Sequence, residues 1–507
     1  MPDTRISSMS AKSRTYLWLL AGTAGLIRFV IALRSLPDGL FDDAYVTLRY
    51  AANLINGVGF VFNAGERVLG TTSPLFALLL AAAGHITGPR YLEEIAAACG
   101  ILASMAAIFL CGLILDATGL PQAVQWTFLA LIAFLPAFVS NSVSGMETPV
   151  VVFLMCLSLY LYMKNRLILL SLVGFLLVLG RIDTGFWLLA LAIAIVWDHR
   201  AKPWSELVPP LALFCGAALA WFVFVKIYFG SVIPQSVVGK AVSHGGFERL
   251  DWNYVLTFLS AFVPAQRLGV WGLPVIAAVF IAMVPPVLEL WRGYPALRPI
   301  IYFFPMYAGV FLAVHAPLFS WYSIPPKFAF YLLLTYALWW ALTRAAQVAR
   351  SPVKADYALA LAGVCAFALA IRTAAKAPQS YGLPPLDKYV EANVKPTNSV
   401  FLEHIGLIGY KTGCHIFDSM GLVTPETTRL RRLYGSDWLP KAAREYHADF
   451  VILYDSDLPA IRSQSDNDAI WFQQHYTHVA DYGTQELVAS VYVINDGIQA
   501  SAGGSAP

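Results

Sequence analysis

The first apolar stretch of the chain lies at residues 16–33, which read YLWLLAGTAGLIRFVIAL, and residues 41–50 follow with FDDAYVTLRY. The apolar stretch is long enough to cross the hydrocarbon core of a bilayer, which is about 30 Å thick. Asp42 and Asp43 therefore fall at a membrane exit, where paired carboxylates are costly unless they take part in a reaction or bind a cation. The two stretches together predict a membrane protein with a carboxylate site at the bilayer surface.

The composition is that of a polytopic membrane protein. The chain is 58% hydrophobic and 13% charged, whereas a soluble globular protein is about one quarter charged. Window hydropathy predicts about eleven spans. They lie at residues 16–33, 95–115, 124–140, 149–163, 167–180, 185–197, 208–228, 270–288, 299–319, 328–342 and 357–370. The net charge of +3 is spread along the chain, which argues against a nucleic-acid partner. The six cysteines form neither a disulfide framework nor a zinc-binding pattern.

Basic residues set the orientation, because short cytoplasmic loops are enriched in Lys and Arg. With the N-terminus inside, the cytoplasmic loops carry Lys164 with Arg166 and Arg292 with Arg298. The opposite loops hold the polar motifs, which are FDDAYVTLRY, SGMETP at residues 144–149, YFGSVIPQ at 228–235 and WYSIPPK at 321–327. We therefore expect one site that faces the periplasm or the outside.

The predicted fold class is a polytopic all-α transmembrane bundle followed by an extracytoplasmic α/β domain. We expect the transmembrane module at residues 1–373. Its first external loop, residues 34–94, carries surface helices over Asp42–Ile55 and Pro74–Ile86.

The C-terminal segment has a different composition. Residues 374–497 alternate short apolar runs with Gly, Pro and Asp, which predicts a small external α/β domain. Strands are expected at residues 399–404, 415–418, 449–453 and 487–494. Residues 498–507, rich in Gly, Ser and Ala, are expected to be disordered.

The external motifs resemble those of GT-C membrane glycosyltransferases, and within that superfamily they are most similar to mycobacterial terminal arabinofuranosyltransferase-like proteins. The resemblance is carried by DDAYVTLRYAANL at residues 42–54, GVGFVFN at 57–63, GERV at 65–68, GTTSPL at 70–75, SGMETP, YFGS, WY before Pro325 and HIGLIGY at 404–410. The family often has Arg-Pro-Asp where this chain has Arg181-Ile182-Asp183.

The resemblance implies a GT-C-like fold and a polyprenyl-phosphate sugar as donor. It implies an acceptor that is a cell-envelope glycan or glycolipid, at the outer face of the bacterial cytoplasmic membrane. Arabinofuranose, another pentose and a hexose all stay open as the sugar. The family's first-loop aspartate is catalytic, which makes Asp42 the first candidate and Asp43 the second. The chemistry agrees, because a carboxylate can take the acceptor proton and a phosphate leaving group needs no strong general acid.

Four cations are candidates for contact with the donor phosphate, and they are Arg49, Arg181, Lys240 and Lys327. Lys240 follows a family motif. Arg49 lies on the same helical face as Asp42, so it could pair with Asp42 or reach the phosphate. Arg181 is either a phosphate contact or half of a structural ion pair with Asp183. The two lysines are either phosphate contacts or membrane-interface anchors.

Four further residues are candidates for binding the acceptor or sugar, and they are Glu147, Trp321, Tyr322 and His404. Glu147 is either a second acid or an ordinary helix-start acid. Trp321 and Tyr322 are either sugar-stacking platforms or interface aromatics. His404 either recognises the acceptor or is structural. No cofactor is implied, and a divalent cation beside the acids stays open.

Two other functions use the same features. A secondary transporter could use the acid pair as a cation or proton site, although such acids usually lie near the midplane of inverted repeats. A non-catalytic protein that binds or assembles envelope glycans is the other alternative. The surface position of the acids and the absence of a repeat in the sequence favour the enzyme.

Overall fold

A computed structural model describes residues 9–200, 203–243, 251–349, 355–375, 384–483 and 488–495. The helices up to residue 375 are α1 (Ala11–Ser35), α2 (Asp42–Ile55), α3 (Pro74–Thr87), α4 (Leu92–Thr118), α5 (Gln122–Phe134), α6 (Pro136–Val143), α7 (Thr148–Met163), α8 (Leu167–Gly180), α9 (Gly185–His199), α10 (Val208–Phe229), α11 (Gln235–Ser243), α12 (Trp252–Ser260), α13 (Gly272–Gly293), α14 (Arg298–Ala313), α15 (Ser320–Val348) and α16 (Ala355–Ala375).

The remaining elements alternate helices and strands. They are α17 (Pro384–Asn393), β1 (Ser399–Leu402), α18 (Ile405–Thr412), β2 (His415–Asp418), α19 (Pro425–Tyr434), α20 (Trp438–Tyr446), β3 (Phe450–Tyr454), α21 (Leu458–Ile461), α22 (Asn467–His475), β4 (Tyr476–Gly483) and β5 (Val488–Ile494). The expected disordered tail at residues 498–507 lies outside the described residues.

The chain divides into two compact units. The first comprises Met1–Arg34, Ala96–Ala220 and Gly246–Pro378, and the second comprises Ser35–Ile95, Trp221–Gly245 and Gln379–Pro507. The second unit therefore joins the first external loop to the C-terminal segment, whereas the domain boundaries predicted from the sequence place that loop in the membrane module.

The first unit supplies most of the helices that can cross a membrane. Within the described residues, seven helices are long and apolar enough to do so, or up to eight if the bent pair α5–α6 is one span. Helices α7 and α8 are apolar but shorter. The predicted spans lie on helices of the structure, except that the span at 124–140 is divided between α5 and α6 and the span at 299–319 extends beyond the end of α14 at Ala313. The number of crossings stays a prediction.

A buried arginine closes the break between α5 and α6. Pro136 has no N–H, so the carbonyl of Ile132 lacks its helical donor. Arg28 of α1 is 1% exposed, and it donates to the carbonyls of Ile132 at 3.3 Å and Ala133 at 2.8 Å. It also donates to the Ser142 hydroxyl at 2.8 Å. The guanidinium thus replaces backbone donors that the broken helix has lost.

The second unit is built on a five-stranded sheet with the order β2-β1-β3-β5-β4. Strand β1 runs parallel to β2 and β3, and β5 runs antiparallel to β3 and β4. Both faces are covered, because Val400 and Leu402 of β1 belong to one apolar core and Phe401 to the other. This alternation is the period of two that a strand requires.

The four strands expected from the sequence correspond to β1, β2, β3 and β5, with Leu487 outside the described residues. Strand β4 was not predicted. Most of its side chains are exposed or half-buried, so its sequence, YTHVADYG, lacks the apolar alternation that marks a half-buried strand. The helices expected from Asp42 and from Pro74 are present as α2 and α3.

The first-loop segment covers the β2 edge of the sheet. The Asn63 side chain donates to the carbonyl of Ile416 at 2.9 Å and accepts from its N–H at 3.0 Å, as a neighbouring strand would. Arg49 of α2 donates to the carbonyls of Phe62 at 2.8 Å and Cys414 at 2.6 Å. These long-range bonds explain why residues 35–95 belong to the second unit.

Candidate active site

Asp42 occupies the first turn of α2, and its carboxylate caps a different helix. Its Oδ2 accepts from the N–H of Gly406 at 3.0 Å, and its Oδ1 accepts from that of Leu407 at 2.8 Å. The first N–H groups of a helix have no intrahelical acceptor, and the N-cap residue of α18, His404, gives no side-chain cap. A Cβ at position 406 would lie 1.8 Å from the Asp42 carbonyl oxygen, so only glycine permits this approach.

The surroundings of Asp42 act on its pKa in both directions. Burial raises this pKa, and so does the charge of Asp43, whereas His404 and the N–H groups of Leu407 and Gly406 lower it. The net direction is upward. The same carboxylate is held in place by two backbone donors and is more basic than an ordinary aspartate, as a general base requires.

Asp43 has a different partner. Its Oδ2 lies 3.7 Å from the Lys240 ammonium of α11, and the two side chains are 33% and 20% exposed. An ion pair of this length and exposure is weak, so an incoming phosphate can compete for the lysine. The predicted acid and the predicted phosphate cation are thus side by side.

His404 stands next to this cluster. Its side chain is exposed, its Nδ1 shares a hydrogen bond with the Tyr454 hydroxyl, and the two rings are perpendicular with centroids 4.9 Å apart. Burial, followed by the charges of Asp42 and Glu403, raises the pKa of Tyr454. The tyrosine therefore stays protonated and orients the imidazole.

One further acid of this cluster, Asp387 of α17, was not among the candidates predicted from the sequence. It is half-buried, and burial, together with the charges of Asp42 and Glu391, raises its pKa to about 6. In the sequence it is one acid of a short amphipathic helix, next to the buried Leu386. Only the packing of α17 in the second unit brings it within electrostatic range of Asp42.

Among the described residues, no group of three or more His, Cys, Asp or Glu side chains is arranged to hold a metal ion.

Arg49 occupies a different environment from the one expected. The side chain is 5% exposed, its guanidinium stacks on the Phe62 ring at 4.2 Å, and it donates to the carbonyls of Phe62 and Cys414 and to the Asn63 side chain. These bonds join α2 to the edge of the sheet and do not pair Arg49 with Asp42.

Arg181, in the first unit, is the centre of a buried network. It is 1% exposed and binds both carboxylate oxygens of Asp183, with Nε at 2.9 Å and Nη2 at 2.5 Å. Its Nη1 lies 3.1 Å from the Thr148 hydroxyl and 3.6 Å from Glu147 Oε1. The guanidinium is thus shared by two carboxylates, which leaves little capacity for a phosphate.

The same network supplies hydrogen-bond donors to two carbonyls of α15 that two consecutive prolines leave without helical partners. Pro325 has no N–H, so the carbonyl of Trp321 lacks its helical donor, and Arg181 Nη1 donates to it at 3.1 Å. One residue further along, at the second proline, the Tyr307 hydroxyl donates to the carbonyl of Tyr322 at 2.9 Å. Arg181, which directly follows α8, therefore links the start of α7 to the start of α15.

The aromatic candidates surround this network. The Trp321 ring stacks on Phe319 with centroids 4.9 Å apart, and the Tyr322 ring lies 4.7 Å from the Arg181 guanidinium. Lys327 is half-buried on α15. The candidates thus divide by unit: Asp42, Asp43, Arg49, Lys240 and His404 belong to the second, and Glu147, Arg181, Trp321, Tyr322 and Lys327 belong to the first.

Comparison with known proteins gives two partial matches. Residues 372–498 match a family model described as a domain of unknown function, DUF8728. A segment of 64 residues is 42% identical to part of a terminal β-(1→2)-arabinofuranosyltransferase of Mycobacterium tuberculosis. That segment covers 13% of this chain and 10% of the relative's length.

Proposed function

We propose that this protein is a membrane glycosyltransferase that transfers a sugar from a polyprenyl-phosphate donor to a cell-envelope glycan or glycolipid at the outer face of the bacterial cytoplasmic membrane. The observation that carries the proposal is the fixed carboxylate of Asp42 next to the Asp43–Lys240 pair. The partial similarity to an arabinofuranosyltransferase and the membrane-spanning helices support it.

In the proposed reaction, Asp42 is the general base. The acceptor hydroxyl oxygen forms the new bond to the anomeric carbon, and the bond from that carbon to the phosphate oxygen breaks. The hydroxyl proton passes to the Asp42 carboxylate, and the phosphate leaves on its polyprenyl carrier. Lys240 offsets the charge of the leaving phosphate, and Asp43 holds the lysine in place until the donor binds.

The position of the acids favours the enzyme over a transporter. Asp42 and Asp43 lie on α2, which is not among the helices found long and apolar enough to cross a membrane. Their partners come from α18 and α11 of the same unit. A transport site would instead be expected near the bilayer midplane.

The test is Asp42→Asn, assayed for sugar transfer with a panel of polyprenyl-phosphate sugars. The amide keeps the size of the carboxylate and one acceptor oxygen, but it is not a base. Loss of a general base lowers the rate by about 10² to 10⁴. We expect that loss with unchanged expression. Asp43→Asn is expected to raise the donor KM with a smaller effect on kcat.

Asp466→Asn is the matched control. Asp466 also accepts from two N–H groups at the start of a helix, α22, although a single oxygen, Oδ1, accepts from both Asp468 and Ala469, so it reports the effect of an amide at a helix cap without a base. If Asp43→Asn is inactive and Asp42→Asn is not, the base is Asp43. Normal turnover in both variants and in their double mutant would refute the mechanism, and a wild-type protein inactive with every donor would refute the function.

A further inference from the structure

A turn in the C-terminal segment is organised by one buried acid. Asp418 is 0% exposed, and its carboxylate accepts from the N–H groups of Met420 at 2.8 Å and Val423 at 3.0 Å, and also from that of Leu422. Gly421 has a φ of +74°, which other residues rarely adopt. With its N–H groups bonded inward, the turn directs its carbonyls outward.

Those outward carbonyls hold α11. The Gln235 side chain donates to the Gly421 carbonyl at 3.0 Å, and the Ser243 hydroxyl donates to that of Met420 at 3.1 Å. Between these two ends, a Cβ at Gly239 would lie 2.8 Å from both carbonyl oxygens. The helix therefore rests directly on the turn, with glycine at the point of closest approach.

Lys240 follows Gly239 in sequence, and its ammonium lies 3.7 Å from Asp43. The position of the lysine depends on the placement of α11, since a helix of nine residues is marginal without tertiary packing. The turn also contacts the first loop, because a Cβ at Gly70 would lie 2.8 Å from the Leu422 carbonyl oxygen. One turn thus supports both segments that carry the Asp43–Lys240 pair.

We propose that the turn at residues 418–424 is the support that fixes Lys240 beside Asp43, so that Asp418 and Gly239 are positioning residues for the donor phosphate. The inference rests on the proposed function for its ligand. The C-terminal segment would thus contribute to donor binding indirectly, because the carbonyls of Met420 and Gly421 position the helix that carries Lys240.

The test is a double-mutant cycle on donor affinity. Gly239→Ala favours a helix by itself, so a harmful effect reports the clash with the turn. We expect Gly239→Ala to raise the donor KM between about tenfold and 10²-fold with kcat less affected. Lys240→Met is expected to do the same. In the Lys240→Met background, Gly239→Ala should have little further effect, because both variants act through one contact. If the two effects multiply, the inference is overturned.

Hydrogen exchange of residues 235–243 gives a readout that needs no turnover. Exchange should be faster in Gly239→Ala and in Asp418→Asn, whose amide places a donor against the N–H groups of Leu422 and Val423. Gly216→Ala is the control, because residue 216 lies in α10 with nothing within 4 Å of an added Cβ.

The outcomes separate the two proposals. Unchanged exchange in Gly239→Ala overturns the support role whatever the activity. Faster exchange with an unchanged donor KM overturns the positioning of Lys240. Faster exchange in a protein whose wild-type form transfers no sugar overturns the proposed function and leaves the support in place.

Discussion

Asp42 and Asp43 are neighbours in sequence but have different environments. Asp42 accepts two backbone hydrogen bonds and has a raised pKa, whereas Asp43 is more exposed and lies beside a lysine. Pairs of acids whose surroundings differ in this way commonly divide the tasks of a reaction. The fixed acid suits proton transfer, and the acid beside Lys240 suits control of the phosphate.

At the same scale, Asp42 should set the acidic limb of the pH–rate profile. Asp42 must be ionised to accept a proton, so activity falls as pH drops through its raised pKa. The charge of Asp43 raises the pKa of Asp42, and Asp43→Asn removes this negative charge, which opposes ionisation of Asp42. The pKa of Asp42 should therefore fall, and the acidic limb should move to lower pH by about half a unit or more.

The measurement is the pH dependence of kcat/KM, with Glu391→Gln as the control. Glu391 is not among the groups that shift the pKa of Asp42, so its removal should leave the limb in place. An acidic limb that stays fixed in Asp43→Asn would contradict the coupling of the two acids.

The sequence predicted the α2 helix but not the partners of the Asp42 carboxylate. Asp42 lies in the first turn of α2, yet it caps α18 through Gly406, 364 residues away. Likewise, the spacing of Arg49 from Asp42 suggested a pair, and the guanidinium instead bonds to Cys414 across the sheet edge. Hydrophobic periodicity predicts which face of a helix or strand is buried. It does not predict which residues, far away in the sequence, pack against that face.

At the scale of elements, prolines and arginines occur together in the first unit. Pro136 frees a carbonyl that Arg28 binds, and Pro325 frees a carbonyl that Arg181 binds. In hydrocarbon an unsatisfied carbonyl costs several kcal/mol, and the guanidinium offers several donors at once. Broken helices can therefore persist within a membrane bundle when an arginine from another helix supplies the missing donors.

Arg181→Met should consequently destabilise the protein rather than change donor binding alone. Removing the guanidinium leaves Glu147 and Asp183 without their shared cation, and breaking such a buried pair costs about 3–5 kcal/mol. The measurement is thermal unfolding in detergent, where we expect a clear drop in Tm. Neutralising a partner as well, in Arg181→Met with Asp183→Asn, should recover part of the loss.

Arg344→Met is the matched control, because Arg344 pairs with Glu289 at an exposed position. Such pairs contribute about 0–1 kcal/mol, so its Tm should hardly change. A stable Arg181→Met variant with a raised donor KM would instead support the phosphate contact that the sequence suggested.

Elements were predicted best where burial is one-sided or complete. Strands β1 and β3 have strong apolar alternation or continuous apolar runs, and both were expected within one or two residues of their ends. Strand β4 lies at the sheet edge and is largely exposed. Its pairing with β5 is made by backbone hydrogen bonds, and these cannot be predicted from the hydropathy of the side chains.

At the scale of the whole molecule, contacts within the first unit agree with the predicted alternation of loops. Glu147, Arg181 and Trp321 lie near the outer ends predicted for α7, α8 and α15, and they meet in one network. Tyr162 and Arg298 lie at ends predicted to be cytoplasmic, and both bind Asp198. Helix ends assigned to one side by charge therefore meet at one end of the unit.

The topology prediction is an N-terminus inside and a C-terminal segment outside. It follows from the short basic loops on the cytoplasmic side. A reporter that is active only outside the cytoplasm, fused after Ile494, should be active, and the same reporter inserted after Lys164 should not. Activity with the opposite pattern would invert the orientation and move the proposed reaction to the other face.

The Asn63 contact with strand β2 also bears on how the chain is made. Residues 35–95 leave the ribosome long before residues 399–494, yet Asn63 and Arg49 donate to the carbonyls of Ile416 and Cys414. The second unit therefore cannot close during synthesis of the helices in between. Until the last strands arrive, the first loop carries the apolar Tyr50 and Phe62 without the core that buries them. This late closure leaves apolar side chains of the first loop exposed during translation. We therefore expect chaperones to bind the loop until the second unit has folded.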